Sequence, residues 1–262
     1  MIIKDVDYEN VNDLVNFCIP INKRNDPSFA TGAEEKRKWA LTMLKNYGEV
    51  AKLAYLNSKP VGMIQYQPVF PKNLIRIRCI FVPEKKYTRK GIGSALLNSL
   101  INDMKKPKVY FNNHAPAAII TNAFETPAGY SQFLFFRKKG FITVKDNLLY
   151  YPLKDNFIYQ PPAKKVYKPF KKDIGKALIF YDPFCPFSLF FAKEIEKTIN
   201  AITADLSIEF INTFEKPTEF SKRGGNAVCI VNSKPINAFV LDKENFIKEV
   251  KSALKIRRNY EV

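Results

Sequence analysis

The chain has 262 residues, 46% of them hydrophobic, with 22 Phe, 13 Tyr and a formal net charge of +17. That is apolar material for one or two packed domains, and no apolar run approaches the ~20 residues that a membrane span requires. A single histidine, His114, and four dispersed cysteines without a Cys-x-x-Cys pair exclude histidine-rich metal sites, most Ser-His triads and a structural zinc, so no metal centre is expected. Met1-Ile2-Ile3-Lys4-Asp5-Val6-Asp7 carries no apolar signal segment; with the cysteine usage, this leads us to expect a reduced, cytoplasmic protein. The positive charge is uneven: +11 over residues 1–152, +4 over 153–175 and +2 over 176–262. The excess suits a polyanionic cofactor, nucleic acid or an acidic substrate, and equally a lysine-rich solvated surface.

In chain order, residues 2–6 read as a short strand. Asp7 is placed to cap a helix carrying Val11, Leu14, Val15 and Cys18, which Pro20 ends. Thr31-Gly32-Ala33-Glu34 starts a second helix toward Tyr47, with Trp39, Met43 and Leu44 on its apolar face. Strands follow at 50–56 and 61–66 around a turn, Asn57-Ser58-Lys59-Pro60, and another at 74–82. A helix is expected over 92–104, a strand over 108–112, and a helix over 131–139 stopped by Gly140. Strands at 141–144 and 148–153 close this part around Asp146-Asn147.

The most telling stretch is Thr88-Arg89-Lys90-Gly91-Ile92-Gly93-Ser94-Ala95-Leu96-Leu97, between a strand and a helix. The first N–H groups of a helix lack intrahelical partners and sit at the positive end of its dipole, so such a turn binds anions. Glycine lets a phosphate approach the backbone, and Arg89 and Lys90 add charge. The whole string, with Val82-Pro83-Glu84 before it, resembles the acetyl-CoA loop of the GNAT N-acetyltransferase superfamily. Gly91, Ile92 and Gly93 match the family pattern, and Thr88 stands where the family has Gln or Arg. Phe135-Phe136-Arg137-Lys138-Lys139-Gly140-Phe141 resembles the family's Phe-Tyr-x-x-x-Gly-Phe helix ending, and the element order over residues 1–153 is that of the GNAT fold.

This resemblance implies an N-acetyltransferase that takes acetyl-CoA and passes its acetyl group to an amine in a ternary complex. Backbone groups of Ile80, Phe81 and Val82 would face the acyl and pantetheine part, and Thr88, Arg89, Lys90, Gly91, Ile92, Gly93 and Ser94 the pyrophosphate. The family's general acid, a Tyr four residues before the helix-ending glycine, is replaced by Phe136, which has no proton to give. Tyr130, Tyr87 and Tyr110 are the nearby substitutes, and Glu84 is the candidate base, each with a plain packing or surface reading beside it. Arg76 and Arg78 share a strand face by period two, either lining an acceptor cleft for an acidic or phosphorylated amine or resting on an open sheet face.

Residues 154–175 are rich in Pro, Lys and Tyr and read as a linker or as a segment draped over a domain. From residue 176 a βαβ…ββα pattern restarts: a strand at 177–181, a helix over 187–201, strands at 206–211, 227–231 and 236–241, and a helix over 244–254 capped by Asp242. This order resembles a thioredoxin-like fold, with Cys185-Pro186-Phe187-Ser188 where such folds carry Cys-x-x-Cys. A GNAT unit followed by such a unit resembles the YoaP-like acetyltransferases. The fold class expected is therefore α/β: a GNAT domain at 1–153, a linker at 154–175 and a thioredoxin-like domain at 176–262.

Helix N-termini stabilise thiolates, so the alternative reading is a thiol-redox or thiol-binding protein acting through Cys185, without a resolving cysteine because Ser188 takes that place. Cys18, Cys79 and Cys229 read as packed residues. Nucleic acid binding finds no RNP motif or base-reading basic helix in the sequence. The expected partner is a small-molecule or peptide amine, without a membrane; a homodimer is compatible with the sequence.

Overall fold

The computed structural model describes residues 1–124, 131–163, 167, 169–225 and 227–255. They form two compact units: Met1–Cys18 with Ala40–Pro162, and Ile19–Trp39 with Ala163–Val262.

The first unit is built on a seven-stranded sheet of β1 (Ile2–Asp5), β2 (Ala51–Leu56), β3 (Lys59–Val69), β4 (Leu74–Phe81), β5 (Ala118–Asn122), β6 (Ile142–Lys145) and β7 (Leu148–Pro152). The spatial order is β1-β2-β3-β4-β5-β7-β6, antiparallel except for the central β4–β5 pair. Helix α1 (Val11–Phe17) packs near β3, where Cys18 Sγ lies 3.7 Å from Met63 Sδ. Helix α3 (Ile92–Met104) follows β4. It buries Ile92, Leu96, Leu97, Leu100, Ile101 and Met104, whose spacing of three and four residues makes one apolar stripe. The stripe meets Ile64, Tyr66, Ile75, Ile77 and Ile119 of the sheet. Each fully buried Leu or Ile adds about 1.5–3 kcal/mol to this core. Gly62 makes the contact possible, since a Cβ there would come within 2.6 Å of Ile92 Cγ2. Helix α4 (Gln132–Lys138) is capped by Ser131, whose hydroxyl accepts from Leu134 N–H at 3.2 Å, and Gly140 at φ +85° turns the chain into β6.

In the second unit, β8 (Lys176–Tyr181), helix α5 (Pro186–Asn200), β9 (Ser207–Asn212), helix α6 (Pro217–Lys222), β10 (Cys229–Val231), β11 (Lys234–Ile236) and helix α7 (Lys243–Lys255) follow in turn. The sheet order is β11-β10-β8-β9, with β8 and β9 parallel and the other pairs antiparallel. Asp173 and Arg223, both buried, form a two-pronged ion pair at 2.8 Å, and the guanidinium also reaches Glu219 at 2.7 Å. Helix α2 (Pro27–Tyr47) is divided between the units, its residues through Trp39 belonging to this one and those from Ala40 to the first.

Several expectations are corrected. Residues 108–112 hold a short 3-10 turn at Val109–Phe111, and the fifth strand is Ala118–Asn122. Asn112 and Asn113 sit at positive φ and break the strand there, whereas the Ala-Ala-Ile-Ile run fits a central strand flanked on both sides. Helix α2 starts at Pro27, before Thr31: the Asp26 carboxylate accepts Ser28 N–H at 2.9 Å and proline suits the first helical position. Asp7 does not cap α1; it accepts the N–H groups of Glu9 and Asn10 in the preceding turn. The repeated Asn-Ser-Lys-Pro makes the same hairpin twice. Asn57-Ser58 and Asn232-Ser233 all have φ of +48° to +63°, and each Lys-Pro already belongs to the returning strand. The last strand therefore ends at Ile236, short of the 236–241 expected. Within 154–175, Phe157 and Tyr159 pack beside Tyr150 of the first unit, and Tyr167 donates to Ser233 O at 2.9 Å in the second.

Candidate active site

β4 is the middle strand of seven. Its pairing with β5 runs from Leu74 opposite Ala118 to Ile77 opposite Thr121 and stops, while its pairing with β3 continues to Phe81 opposite Met63. β5 stays with β7, and beyond its end Ala123 N–H still donates to Asn147 O at 2.8 Å. The sheet thus opens into a fork at the C-terminal ends of its two parallel strands. At the crotch lies a bulge: Tyr66 pairs with Ile77 and Gln65 with Cys79, leaving Arg78 as the extra residue. Without it Ile80 would turn away from the core that Ile75 and Ile77 enter; with it all three point beneath α3. Gln132 spans the fork. Its Nε2 donates to Ile80 O at 3.4 Å and its Oε1 accepts from Phe124 N–H at 3.5 Å. Sequence reasoning missed Gln132, whose one signal is a polar residue opening an otherwise aromatic helix.

After β4 the chain passes Val82 and Pro83 and makes a 3-10 turn at Lys85–Tyr87. The Thr88 hydroxyl donates to Lys85 O at 2.7 Å. Arg89 and Gly91 have φ of +58° and +81°, so left-handed residues flank Lys90 and the backbone curls into a concavity of the kind that gathers N–H groups. Gly91 starts α3; no side chain caps the helix, and Ala95 N–H makes the first bond of its ladder, to Gly91 O at 2.9 Å. The amides of Ile92, Gly93 and Ser94 therefore precede that ladder. Thr88, Arg89, Lys90 and Gly91 are exposed, while buried Ile92 anchors the helix start. A Cβ on Gly91 would meet nothing within 4 Å, and one on Gly93 would have Phe135 and Ile80 as its nearest neighbours, at 3.7–3.8 Å. The structure thus brings Ile80, Phe81, Val82 and the 88–94 loop to one end of β4. Together they make a basic, amide-lined concavity beside an open strand edge.

The candidate proton-transfer groups fare differently. The Glu84 carboxylate lies 2.7 Å from Lys59 Nζ and 2.9 Å from Lys86 Nζ, and its hydrogen bonds to these two lysines hold its pKa below the usual carboxylate range. A lowered pKa makes a weaker base. Phe136 is fully buried, with its ring 4.9 Å from Phe141, while Phe135 is the neighbour of Gly93. Tyr110 precedes the N-terminal end of β5, opposite to the fork, and donates to Glu49; burial, then Glu49, pushes its phenol well above the ordinary value. Tyr87 is half-buried, with Lys86 Nζ 4.9 Å from its ring centroid. Tyr130 lies outside the described residues.

In the second unit Cys185 is the residue before α5 and is half-buried. Pro186 backs onto Gly32, where a Cβ would come within 3.0 Å of Pro186 Cα and O. Phe29 packs against Phe187 and Phe190 at 5.0 Å each, and Ser188 Oγ accepts Asp182 N–H at 2.9 Å. Thr213 donates to the Asp182 carboxylate. Cys229 is fully buried, and that burial pushes its thiol up to about 12. Cys18 is buried like Cys229, and Cys79 is half-buried. Among the described residues no group of three or more His, Cys, Asp and Glu side chains can hold a metal ion, and no helix is long and apolar enough to cross a membrane.

Residues 17–120 match the model of the acetyltransferase (GNAT) family. No curated protein matches the chain. Among solved structures, the chain is similar to an acetyltransferase from Pyrococcus horikoshii at 21% identity and a TM-score of 0.37, covering 54% of this chain and 43% of that one. It is also similar to the aminoglycoside 6'-N-acetyltransferase from Enterococcus faecium (15% identity, TM-score 0.43), covering 62% of this chain and 100% of that one. The PaiA N-acetyltransferase from Thermoplasma acidophilum in complex with coenzyme A has 14% identity and a TM-score of 0.41, over 58% of this chain and 98% of that one. By the family match alone, the N-terminal part of the chain carries a GNAT acetyltransferase domain, and acetyl-CoA is the cofactor of that family.

Proposed function

Starting from a chain that carries this domain, we propose that the protein is an N-acetyltransferase that binds acetyl-CoA along β4 and the start of α3 and passes the acetyl group directly to an amine in a ternary complex. The observation that carries the reading is the join of two features. An uncapped helix start with a basic, left-handed loop lies at the end of the same strand whose edge opens into the fork. The fold itself does not demand glycine at position 93, where a Cβ would find ordinary contacts; a ligand resting on the helix end does.

The amides of residues 92–94 would hold the diphosphate, with Arg89 and Lys90 at its rim. Thr88 binds its own turn, so the contact made elsewhere by Gln or Arg falls to the backbone and to Arg89. Acetyl-CoA would supply an activated acyl group: the acceptor ammonium first gives one proton to solvent, the neutral nitrogen then forms the new bond to the carbonyl carbon as the carbon–sulfur bond breaks, and a second nitrogen proton goes to the leaving sulfur. Backbone groups of residues 80–82 would orient that carbonyl, and Gln132 fixes the width of the fork at Ile80. Glu84, clasped by two lysines, sets the loop and is not the base; proton removal falls to water or to a residue such as Tyr130. Positioning supplies most of the acceleration.

The second unit we read as thioredoxin-like and the whole as YoaP-like, supported by its β8-α5-β9-α6-β10-β11-α7 order and its β11-β10-β8-β9 sheet. The domains run over 1–153 and 176–262 with a linker between, except that Ile19–Trp39 belongs by packing to the second unit. The four dispersed cysteines, without a Cys-x-x-Cys pair, support a reduced, cytoplasmic setting.

Calorimetry with acetyl-CoA tests the reading. The wild type binds, and the double variant Gly91→Glu, Gly93→Glu, folded by circular dichroism, loses at least ~100-fold in affinity, about 3 kcal/mol, from blocked approach and charge repulsion. A folded wild type without affinity for acetyl-CoA overturns it.

A further inference from the structure

Two arginines stand on the central strand of the first sheet, the place where charged side chains are least expected. Arg76 lies opposite Gln67 on β3 and Ile120 on β5; Arg78 is the first residue of β4 past its last partner on β5, at the bulge. Their strand neighbours Ile75, Ile77 and Ile80 all enter the core beneath α3, and the bulge at Arg78 interrupts the period-two alternation that would have put both arginines on one face. Both are half-buried, with their Nε atoms sealed from solvent, and both are held by interactions within the fold. Over residues 51–100 the sequence has nine Lys and Arg but one acid, Glu84, and that one is clasped by Lys59 and Lys86.

A guanidinium rooted in a sheet is a rigid fork of donors suited to the two oxygens of a carboxylate or phosphate. We propose that the acceptor amine carries such an anionic group, and that Arg76 and Arg78 engage it at the fork of β4 and β5. This rests on the acetyltransferase reading and adds to it the charge of the substrate. It also assigns the basic character of this segment to two partners, the diphosphate at the loop and the acceptor's anion at the crotch. The amine end of the acceptor would then lie toward residues 80–82, where the acyl carbonyl is oriented.

The test uses the full chain with matched amines: β-alanine against propylamine for the carboxylate, O-phosphoethanolamine against ethanolamine for the phosphate, and spermidine as the cationic control. Affinity in the presence of saturating coenzyme A and turnover with acetyl-CoA are both measured. At least one anionic amine is favoured over its neutral partner by tenfold or more, and which pair shows this separates carboxylate from phosphate. Arg76→Gln and Arg78→Gln each shrink that ratio to about threefold or less, through the anionic partner's KM; a merely misfolded variant lowers both partners alike and leaves the ratio. A preference for neutral or cationic amines, equal affinity within both pairs, or a ratio untouched by both substitutions overturns the proposal while acetyl-CoA still binds. Absence of acetyl-CoA binding would instead remove the acetyltransferase reading, and this proposal with it.

Discussion

Two corners of this molecule are made from the same parts and end differently. Each is a parallel strand that runs into a short turn and then a helix N-terminus: β4 into Gly91 and α3, β8 into Cys185 and α5. The first corner stays open. Neither helix start has a side-chain cap, but here the loop is exposed and nothing lies within 4 Å of where a side chain on Gly91 would begin. The second is closed by its own unit: Gly32 sits against Pro186, Phe29 against Phe187 and Phe190, and the Asp182 amide and carboxylate are taken by Ser188 and Thr213. Beside it, Glu35 accepts from Tyr181 and Asn212 at 3.2 Å each. A strand, a turn and a helix start supply the same backbone amides and the same dipole in both places; whether these can act on a ligand depends on what packs around them.

The contrast between the corners is most exposed to test at Gly32. Gly32→Leu forces a branched side chain into 3.0 Å of backbone, so it should destabilise the chain by about 2–3 kcal/mol in urea unfolding. Gly32→Ala should come out near zero, because a gain of about 1 kcal/mol in helix propensity offsets the tighter packing. If Leu is tolerated as well as Ala, the corner is not closed. A smaller effect probes the same contrast through pH. Burial first, then Glu35, pushes the Tyr181 phenol up to about 12. The folded state therefore holds a proton that the unfolded chain gives up near pH 10, so this part of the stability is complete below about pH 10 and lost as pH rises toward 12. Tyr181→Phe should flatten that alkaline slope. At the open corner the sign is opposite, because Glu84 lies below its usual range and its clasp loosens only in acid.

Much of the open corner was legible in the sequence because its elements are local. The glycines, the basic residues and the helical stripe from Ile92 to Met104 lie within one stretch of chain, and each obeys a short-range rule. The fork was not legible. It exists because β4 follows β3 while β5 follows β7, a choice made between segments far apart in sequence, and residues 108–112 looked as strand-like as residues 118–122 until the positive φ of Asn112 and Asn113 is known. Gln132 was missed for the same reason, since its partners Ile80 and Phe124 become neighbours only once the sheet divides. The closed corner shows the opposite balance of local and distant information. Cys185-Pro186 at a helix start carries a local signature of thiol chemistry, but Phe29, Gly32 and Glu35, which decide its surroundings, lie about 150 residues earlier, and no pattern in either segment announces the other.

Cys185 itself provides the smallest effect and the finest discrimination. As the residue before α5 it occupies a position where serine is among the favoured caps, and its carbonyl already accepts Ser188 N–H at 2.9 Å. If the side chain serves only as a half-buried filler, Cys185→Ser exchanges a weak hydrogen-bonding group for a stronger one, and the better helix cap offsets the poorer apolar packing. Stability in urea should then stay within about 0.5 kcal/mol of the wild type. A thiol count on the native protein should fall by no more than one slow-reacting group. A redox or thiol-binding role predicts something else: a fast, low-pKa thiol at neutral pH, present in the wild type and absent in the variant. Finding such a thiol would mean that the second corner opens in solution, and that the resemblance between the two corners extends from their parts to their use.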